Sequence, residues 1–343
     1  MTQDSGLRTQ DSGLRTQDSG LRTQDSGVIY AVIAGRLGNQ LFQYAFARAL
    51  QLKFYPNYKL IINVHHYSKA SDQQRKEGLD YNIRHFRINS AGYIDKHKMY
   101  CMTFPQFCMA GVRNKILKRI LPANLFKALD HKILQPFFNL FGLYNPVSFS
   151  AYLLPRPSRS HTVITQSCFE NAAYFECIRD TLLEEFIPIH DPLQHNLDML
   201  NDIADSESVC VTIRRGDFLS PKIASEFNVC DEEYFVKAMK AIRDEIPNCK
   251  FFVFSDDVED VKRSMHFPFD VTYERGNDPV WEKLRLMYSC KHFIISNSTF
   301  SWWAQYLSKN PDKIVYAPTP WHWKGEKWEG LYLPYMRKIE CKK

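Results

Sequence analysis

Residues 28–53 read VIYAVIAGRLGNQLFQYAFARALQLK, and this stretch decides which kind of fold the chain can adopt. The apolar run at residues 28–34 is rich in β-branched side chains and predicts a buried strand. A tight glycine loop follows at residues 35–39, and residues 40–53, rich in alanine, leucine and aromatic residues, predict a helix. A strand, a glycine loop and a helix in this order begin an α/β unit, and residues 59–63 predict its next strand.

The second half of the chain alternates strand and helix signals more regularly. The predicted strands are residues 209–213, 251–255, 292–295 and 314–317, and the predicted helices are residues 232–245, 279–288 and 298–307. Such alternation predicts a parallel sheet with helices on both faces. In open sheets of this kind ligands bind beyond the carboxyl ends of the strands, so polar residues that directly follow a strand are the first site candidates.

Arg214 and Arg215 stand in the strongest motif, VTIRRGD, which ends a predicted strand at residues 211–217. Two adjacent arginines at this point can direct planar, bidentate donors at phosphate oxygens. Gly216 lets the backbone turn close to a ligand. Asp217 would hold one guanidinium in place or act as a base, and a simple pair of surface charges is the alternative for the motif.

A second motif, SNSTFSWW at residues 296–303, also follows a predicted strand and opens a helix. The N-terminus of a helix offers backbone N–H groups and a positive dipole end to a diphosphate, with an N-cap cluster as the alternative. The side chains that could add donors are Ser296, Asn297, Ser298, Thr299 and Ser301. Trp302 and Trp303 are expected to be core residues, with a sugar-binding platform as the alternative. Asp256 ends a third predicted strand, where it could accept from a guanine or a ribose.

Length and composition limit the class of protein. The 343 residues suffice for two domains, and 45% hydrophobic with 24% charged residues are typical of globular proteins. No apolar run approaches the ~20 residues of a membrane span, and no signal peptide is visible, so we expect a cytoplasmic protein. The net charge of +6 favours anionic partners, whereas no motif predicts nucleic-acid binding. The nine cysteines lack metal-like spacing and are expected to be reduced.

Several ligand-binding motifs are absent from the sequence. The loop GRLGNQ at residues 35–40 lacks the three-glycine spacing of a dinucleotide fingerprint, and no GxxxxGK[ST] phosphate loop occurs. No Asp-x-Asp occurs either, so no metal or cofactor is expected. A transferase that holds no metal on a diphosphate needs fixed cations and backbone dipoles, which Arg214, Arg215 and the serine-rich helix start could supply.

The glycine loop, the arginine motif and the serine-tryptophan motif occur in the order seen in glycosyltransferase family 11, the α-1,2-fucosyltransferases, and the chain resembles that family over residues 28–320. The resemblance implies an α/β fold of GT-B type, with two Rossmann-like domains facing each other across a cleft. The expected domains are an acceptor-side domain at residues 28–165 and a GDP-fucose-binding domain at residues 166–343. It also implies GDP-fucose as donor, no metal, and inversion at fucose C1 with a galactose 2-hydroxyl as acceptor.

The resemblance also implies roles for individual residues. Arg214 would stabilise the leaving β-phosphate, supported by Arg215 and Asp217, and Asn39 would face the donor. The residues expected around the nucleotide are Gly35, Gly38, Asp256 and the serine-rich segment 296–301. Thr212 departs from the wider fucosyltransferase pattern, which has histidine there, so a nucleotide contact by that imidazole does not transfer to this chain.

Residues 114–144 form a basic, partly apolar insert in the first half. Lys115, Lys118, Arg119, Lys127 and Lys132 stand among isoleucine, leucine and phenylalanine. One hypothesis is an amphipathic helical pair that rests on an anionic membrane, which would place the protein on the cytoplasmic face of the inner membrane. The other is a pair of surface helices with solvated lysines. In both cases two prolines, Pro122 and Pro136, are expected to break the segment.

Together these features predict an enzyme of surface-glycan synthesis, such as O-antigen synthesis, that acts on a galactose-terminated oligosaccharide or glycolipid. Two alternatives stay open. One is a fucosyltransferase with another linkage or acceptor, and the other is a non-catalytic protein that binds a nucleotide sugar or glycan.

The N-terminal repeat generates a prediction about the gene. Residues 2–27 repeat TQDSGLR three times and begin a fourth copy, and one leucine per repeat cannot form a coiled-coil seam, so residues 1–27 are expected to be disordered. A seven-base unit, ACTCAGG, repeated three times translates as TQDSGLR. Gain or loss of one unit would shift the reading frame, so we expect a phase-variable gene. Sequencing the coding DNA tests this, since mixed synonymous codons would indicate an ordinary low-complexity leader instead.

Overall fold

The computed structural model describes residues 26–76, 78–324 and 328–342, so the expected disorder of residues 1–27 falls almost wholly outside the described residues. Two β-sheets form its framework. The strands of the first sheet are β1 Val28–Val32, β2 Lys59–Asn63, β3 Gly92–Ile94, β4 Leu143–Tyr144 and β5 Thr162–Thr165. The strands of the second sheet are β6 Ser208–Ile213, β7 Lys250–Ser255, β8 Val271–Tyr273, β9 His292–Ile294, β10 Val315–Thr319 and β11 Met336–Glu340.

Every strand pairing within the two sheets is parallel. The strand order is β3-β2-β1-β5-β4 in the first sheet and β11-β10-β9-β6-β7-β8 in the second. The second order is the doubly wound order 3-2-1-4-5-6, in which the chain direction across the sheet reverses between β6 and β9. The prediction of a GT-B arrangement with two Rossmann-like domains is thus confirmed, while the boundary at residue 165 stays a prediction.

Helices connect the strands. They are α1 Leu37–Phe54, α2 Asp72–Lys76, α3 Phe104–Gly111, α4 Lys118–Ile120, α5 Ala123–Leu129, α6 Gln135–Asn139, α7 Arg179–Glu185, α8 Leu197–Asp205, α9 Ala224–Phe227, α10 Glu232–Glu245, α11 Val258–Ser264, α12 Val280–Ser289 and α13 Thr299–Leu307. Local sequence sets several helix starts. The Asp231 carboxylate accepts from the Tyr234 N–H at the start of α10, and Asp257 does the same for Asp260 at the start of α11.

A buried aromatic cluster joins the two sheets, and we call it the aromatic junction. It consists of Phe42 on α1, Phe175, and Trp302, Trp303 and Tyr306 on α13. The Phe42 ring centroid lies 4.8 Å from that of Trp302 and 4.9 Å from that of Trp303, and the Phe175 ring stacks on Trp303 at 5.4 Å. These residues belong to one hydrophobic core that contains side chains from both sheets. The expectation that both tryptophans are core residues is confirmed, since each is fully buried.

Residues 104–139 form two helical arms, and we call this segment the helical hairpin. The first arm continues from α3 through a π-helical segment, Val112–Leu117, into α4, and the second runs from α5 through a π-helical segment, Asp130–Leu134, into α6. The hairpin therefore begins before the predicted insert at residues 114–144. Residues 143–144 of that insert belong to β4.

Only one of the two prolines interrupts the hairpin. Pro122 separates the arms, as expected. Pro136 does not break its helix, and that prediction is wrong. The backbone widens to a π turn directly before Pro136, which relieves the contact between a proline ring and the carbonyl of the preceding turn. All nine cysteines are free, and most of them are buried.

The aromatic junction generates a stability prediction. Replacing Phe42 by alanine should lower the free energy of unfolding by about 3–5 kcal/mol, because it removes a buried ring that contacts both tryptophans. Urea denaturation followed by circular dichroism measures this loss. Phe54→Ala is the matched control, since Phe54 stands on the same helix but is partly exposed. This substitution should lower the free energy of unfolding by less than half as much. Equal losses would contradict a main role for the junction.

Candidate active site

The carboxyl ends of the central strands bring the predicted motifs together. Arg214 directly follows β6, and Ser296 follows β9, so both lie beside the point where the strand order of the second sheet reverses. Ligands bind in the crevice at such a point. The glycine loop that begins at Gly35 follows β1, which lies at the corresponding reversal in the first sheet, between β2 and β5. Three motifs that are distant in sequence therefore meet in space.

The Arg214 guanidinium is held between two carboxylates. One of its nitrogens lies 2.9 Å from Asp256 Oδ2, and another donates to Asp217. The Phe218 ring lies 5.4 Å from the guanidinium carbon. The Arg214 side chain is 19% exposed, so its plane is fixed while part of the group still faces the cleft.

Asp217 connects the two domains electrostatically. Arg36, in the glycine loop of the first sheet, places Nη1 at 2.5 Å from Asp217 Oδ2. Burial alone would raise the pKa of Asp217, but the hydrogen bond and charge of Arg36 and the charge of Arg214 outweigh burial and lower that pKa. Asp217 is therefore an ionised bridge between two guanidiniums. A carboxylate with a lowered pKa is a weak base, which favours the supporting role over the base role.

Arg215 points away from Arg214. Its Nε lies 2.6 Å from Asp260 Oδ2 and its Nη2 donates to Ser264 Oγ at 3.1 Å, both on α11. The Arg215 side chain also lines a cavity of about 380 Å³ with Asn228 and Trp323. The structure thus does not place the two adjacent guanidiniums as one fork, since Arg214 lies in the cleft and Arg215 lies beside this cavity. Contact of either arginine with a phosphate stays a prediction.

Asp256 and Gly216 fix the backbone of the arginine motif. The Arg215 N–H donates to Asp256 Oδ1 at 2.8 Å, so both carboxylate oxygens of Asp256 are engaged within the protein. This occupancy disfavours the expected contact between Asp256 and a guanine or ribose. A Cβ at Gly216 would lie 2.3 Å from Asp256 Oδ2, so a larger residue there would displace the carboxylate that holds Arg214.

The serine-rich segment divides into buried and accessible parts. Ser296 and Ser301 are buried and hydrogen-bonded to each other at 3.0 Å between their Oγ atoms. Asn297 is buried and donates to the Phe227 carbonyl at 2.9 Å. These three side chains use polar groups inside the protein, whereas Ser298 and Thr299 are half-buried at the helix start. Donor binding by this segment stays a prediction.

The glycine loop of the first sheet contacts the start of α13. The Thr299 hydroxyl donates to Asn39 Oδ1 at 2.9 Å, and the Trp303 indole N–H donates to the Gly38 carbonyl at 3.0 Å. A Cβ at Gly38 would lie 2.5 Å from Thr299 Oγ1. Gly35 has a φ of +80°, which L side chains rarely adopt, and therefore makes the turn into α1. Both glycines serve the backbone and the helix contact.

The N-termini of two helices consequently meet in the cleft. Helix α1 begins at Leu37 and helix α13 begins at Thr299, and Gly38 brings the two starts into contact. The first backbone N–H groups of a helix have no partner within it, and that end carries a partial positive charge. With Arg36 and Arg214 nearby, the cleft is suited to an anion.

Two residues of the site were not predicted from the sequence. Arg36 stands inside the quoted glycine loop directly after β1, and the rule that strand ends carry site residues would have found it. Cys168 follows β5, and Asn39 Nδ2 lies 3.9 Å from its sulfur. The hydroxyl oxygen of Thr212, the departure from the wider pattern, accepts from the Ser296 N–H at 3.1 Å and is buried between β6 and β9.

Within residues 26–76, 78–324 and 328–342, no group of three or more histidine, cysteine, aspartate or glutamate side chains could hold a metal ion. Independence from metal stays a prediction.

This chain is similar to several known proteins. An α-1,2-colitosyltransferase of Escherichia coli is 29% identical over 315 residues, which cover 87% of this chain and 94% of the relative. The O-antigen biosynthesis glycosyltransferase WbnK of Escherichia coli is 27% identical over 320 residues, which cover 85% and 94%. The solved structure of NodZ α-1,6-fucosyltransferase co-crystallized with GDP is 16% identical, with a TM-score of 0.48 over 85% of this chain and 95% of that chain.

The match to a family includes β6 to β10 of the second sheet and both motifs that follow its strands. Residues 157–329, half of the chain, match glycosyl transferase family 11, and they include the arginine motif and the serine-tryptophan motif. The chain belongs to glycosyl transferase family 11.

Proposed function

We propose that this glycosyltransferase is an inverting, metal-independent α-1,2-fucosyltransferase that moves L-fucose from GDP-fucose to the 2-hydroxyl of a galactose in a surface glycan. The observation that carries the proposal is the convergence of Arg36, Arg214 and the starts of α1 and α13 at one place. Fixed positive charge and backbone N–H groups at that place suit the diphosphate of the donor.

Arg214 binds the β-phosphate in this proposal. Asp217 and Asp256 hold two edges of its guanidinium, which leaves further N–H donors of the planar group for phosphate oxygens. The nucleoside part enters the cavity of about 380 Å³ beside Arg215, where Trp323 offers an aromatic face. Arg215 thus contributes to donor binding through the nucleoside side of the site.

The reaction is a direct displacement at fucose C1. The acceptor oxygen forms a bond to C1 while the bond from C1 to the β-phosphate oxygen breaks, and the bonding electrons leave with GDP. Negative charge grows on the β-phosphate, so Arg214 binds the transition state more tightly than the ground state. The acceptor hydroxyl passes its proton to solvent water late in the step, when the new bond to C1 has made that proton acidic, and no residue is assigned as base.

The names of the relatives indicate the class of acceptor and a second candidate donor. One relative is named for O-antigen biosynthesis, which supports a glycan acceptor of the cell surface. The other is named for colitosyl transfer with an α-1,2 linkage, so a colitosyl donor is the second candidate. The α-1,2 linkage in that name agrees with the linkage proposed here.

Arg214→Ala tests the leaving-group role. We expect kcat to fall by at least ~10²–10³, because a lost charge-stabilising donor typically has this effect. Transfer from labelled GDP-fucose to lactose, followed by mapping of the linkage in the product, measures the loss, and a thermal unfolding curve checks that the variant folds. Arg337→Ala is the matched control, since Arg337 is an exposed arginine that pairs with Glu245 and has no contact with the site residues.

The outcomes separate the candidate functions. Activity of Arg214→Ala within a few-fold of the wild type would refute the role of Arg214. Release of GDP without transfer to lactose would indicate a different acceptor, and transfer only from GDP-colitose would select the second donor. Failure of the wild-type protein to bind GDP-fucose would overturn the donor assignment, whereas tight binding without turnover on any acceptor would indicate a binding protein.

Asp217→Asn tests whether Asp217 supports the arginines or acts as a base. We expect kcat to fall roughly ten- to hundredfold, since a hydrogen bond to a charged group contributes about 1.5–3 kcal/mol. Because the folded-state pKa of Asp217 is lowered, its ion pairs persist above that pKa and are lost only as pH falls through it. The pH–rate profile between about pH 5 and 7 should therefore keep its shape in the variant. An acid limb that is present in the wild type and absent from the variant would identify Asp217 as the base.

A further inference from the structure

Five polar side chains of the helical hairpin are directed inward. Gln106, Arg113, Asp130, Gln135 and Asn139 are all buried. Gln106 Nε2 donates to the carbonyls of residues 141 and 162 at 2.8 Å, and Gln135 Nε2 donates to the carbonyl of residue 143 at 2.7 Å. These bonds fasten the hairpin to the strand region of the first sheet. Because such polar groups are costly to bury, the inward face is a specific attachment surface.

The outward surface of the hairpin exposes several large apolar side chains. The side chains of Phe104, Ile120 and Ile133 are 79%, 71% and 59% exposed. Ile116, Leu125 and Phe137 are also exposed. In an ordinary surface helix the apolar stripe faces the core and the polar face meets water. The hairpin departs from this arrangement on both arms, because several apolar side chains are exposed while several polar ones are buried. Exposed apolar patches are typical of interaction sites.

The charges among these apolar side chains have one sign. All five basic residues singled out in the sequence are exposed: Lys115, Lys118, Arg119, Lys127 and Lys132. Asp130 is the one acidic residue at positions 104–139, and it is buried beside Arg113, with 3.2 Å between Asp130 Oδ1 and Arg113 Nε. The outward surface therefore presents cations and apolar groups together, without an exposed carboxylate within the hairpin.

We propose that the outward surface of the helical hairpin docks on an anionic lipid bilayer, with its apolar side chains in the interfacial region and its lysines on lipid phosphates. Apolar residues interleaved with basic ones on a helix are the pattern of interfacial binding. A second copy of the chain fits less well, because two such surfaces would bring like charges together. No helix in the described part of the chain is long and apolar enough to span a bilayer.

The hairpin packs on the first sheet, whose glycine loop belongs to the candidate active site. Phe138 of the hairpin and Cys101, just before it, pack with Val32 and Ile164 of the first sheet. Val32 ends β1, and the glycine loop with Arg36 follows it directly. Docking would therefore hold the acceptor-side sheet close to the membrane. The proposal goes beyond the proposed function, because lipid binding is independent of transfer.

Vesicle co-sedimentation of the full chain tests the proposal. We expect binding to vesicles that contain phosphatidylglycerol, weaker binding to pure phosphatidylcholine, and loss of binding at high salt. Lys118→Gln with Arg119→Gln should weaken binding about thirtyfold, since each basic residue near an anionic surface contributes about fivefold. Ile120→Glu should weaken it at least about tenfold, because it removes an inserted apolar side chain.

The matched control is Lys237→Gln with Lys240→Gln, which makes the same change of charge on α10 of the second domain and should leave vesicle binding unchanged. Thermal unfolding and GDP binding show that each variant is folded. Absence of wild-type binding to anionic vesicles would overturn the proposal, as would equal losses in the hairpin and control variants. Concentration-dependent dimerisation that Ile120→Glu abolishes, without vesicle binding, would assign the surface to a second copy instead.

Discussion

The hydrogen bond from the Trp303 indole N–H to the Gly38 carbonyl, 3.0 Å long and buried, is the contact on which the geometry of the site depends. It joins the second residue of α1 to the fifth residue of α13. The aromatic junction keeps water away from this bond, so solvent does not compete for either partner. Because α1 follows β1 of the first sheet and α13 follows β9 of the second, this contact sets the distance between two helix N-termini.

The close approach of these two helix starts concentrates positive charge in the cleft. A helix start contributes about 0.3–1 kcal/mol to the binding of a nearby anion, whereas a charge-assisted bond from an arginine contributes about 1.5–3 kcal/mol. Arg36 and Arg214 would therefore contribute more to the binding of an anion than the helix starts, and Asp217 and Asp256 orient their guanidiniums. The carboxylates also fix the guanidinium planes before any ligand arrives, so little reorganisation remains for the reaction step.

The sequence predicts the central strands and the long helices because their signals are local. β2 and α10 have the predicted bounds, and β6, β7, β9 and β10 differ from them by one or two residues at their ends. β3, β4, β5, β8 and β11 were not predicted, since most of these strands are very short and their pairing depends on neighbours distant in the chain. The sequence also did not predict the direction in which individual side chains point. Arg215 turns toward Asp260, forty-five residues away, and no local pattern encodes that partner.

The two glycines of the GRLGNQ loop show why a motif alone does not separate catalysis from binding. Gly35 is required by its positive φ, and Gly38 is required because a Cβ would meet Thr299 Oγ1 at 2.5 Å and the backbone nitrogen of Phe300 at 2.6 Å. Both requirements concern how α1 meets α13, and they would hold in a protein that only binds a nucleotide sugar. The arginine network differs. A guanidinium held in place by two carboxylates stabilises a transition state in which negative charge increases more than it stabilises the bound ground state. The strongest physical argument for an enzyme therefore lies in Arg214 and its partners.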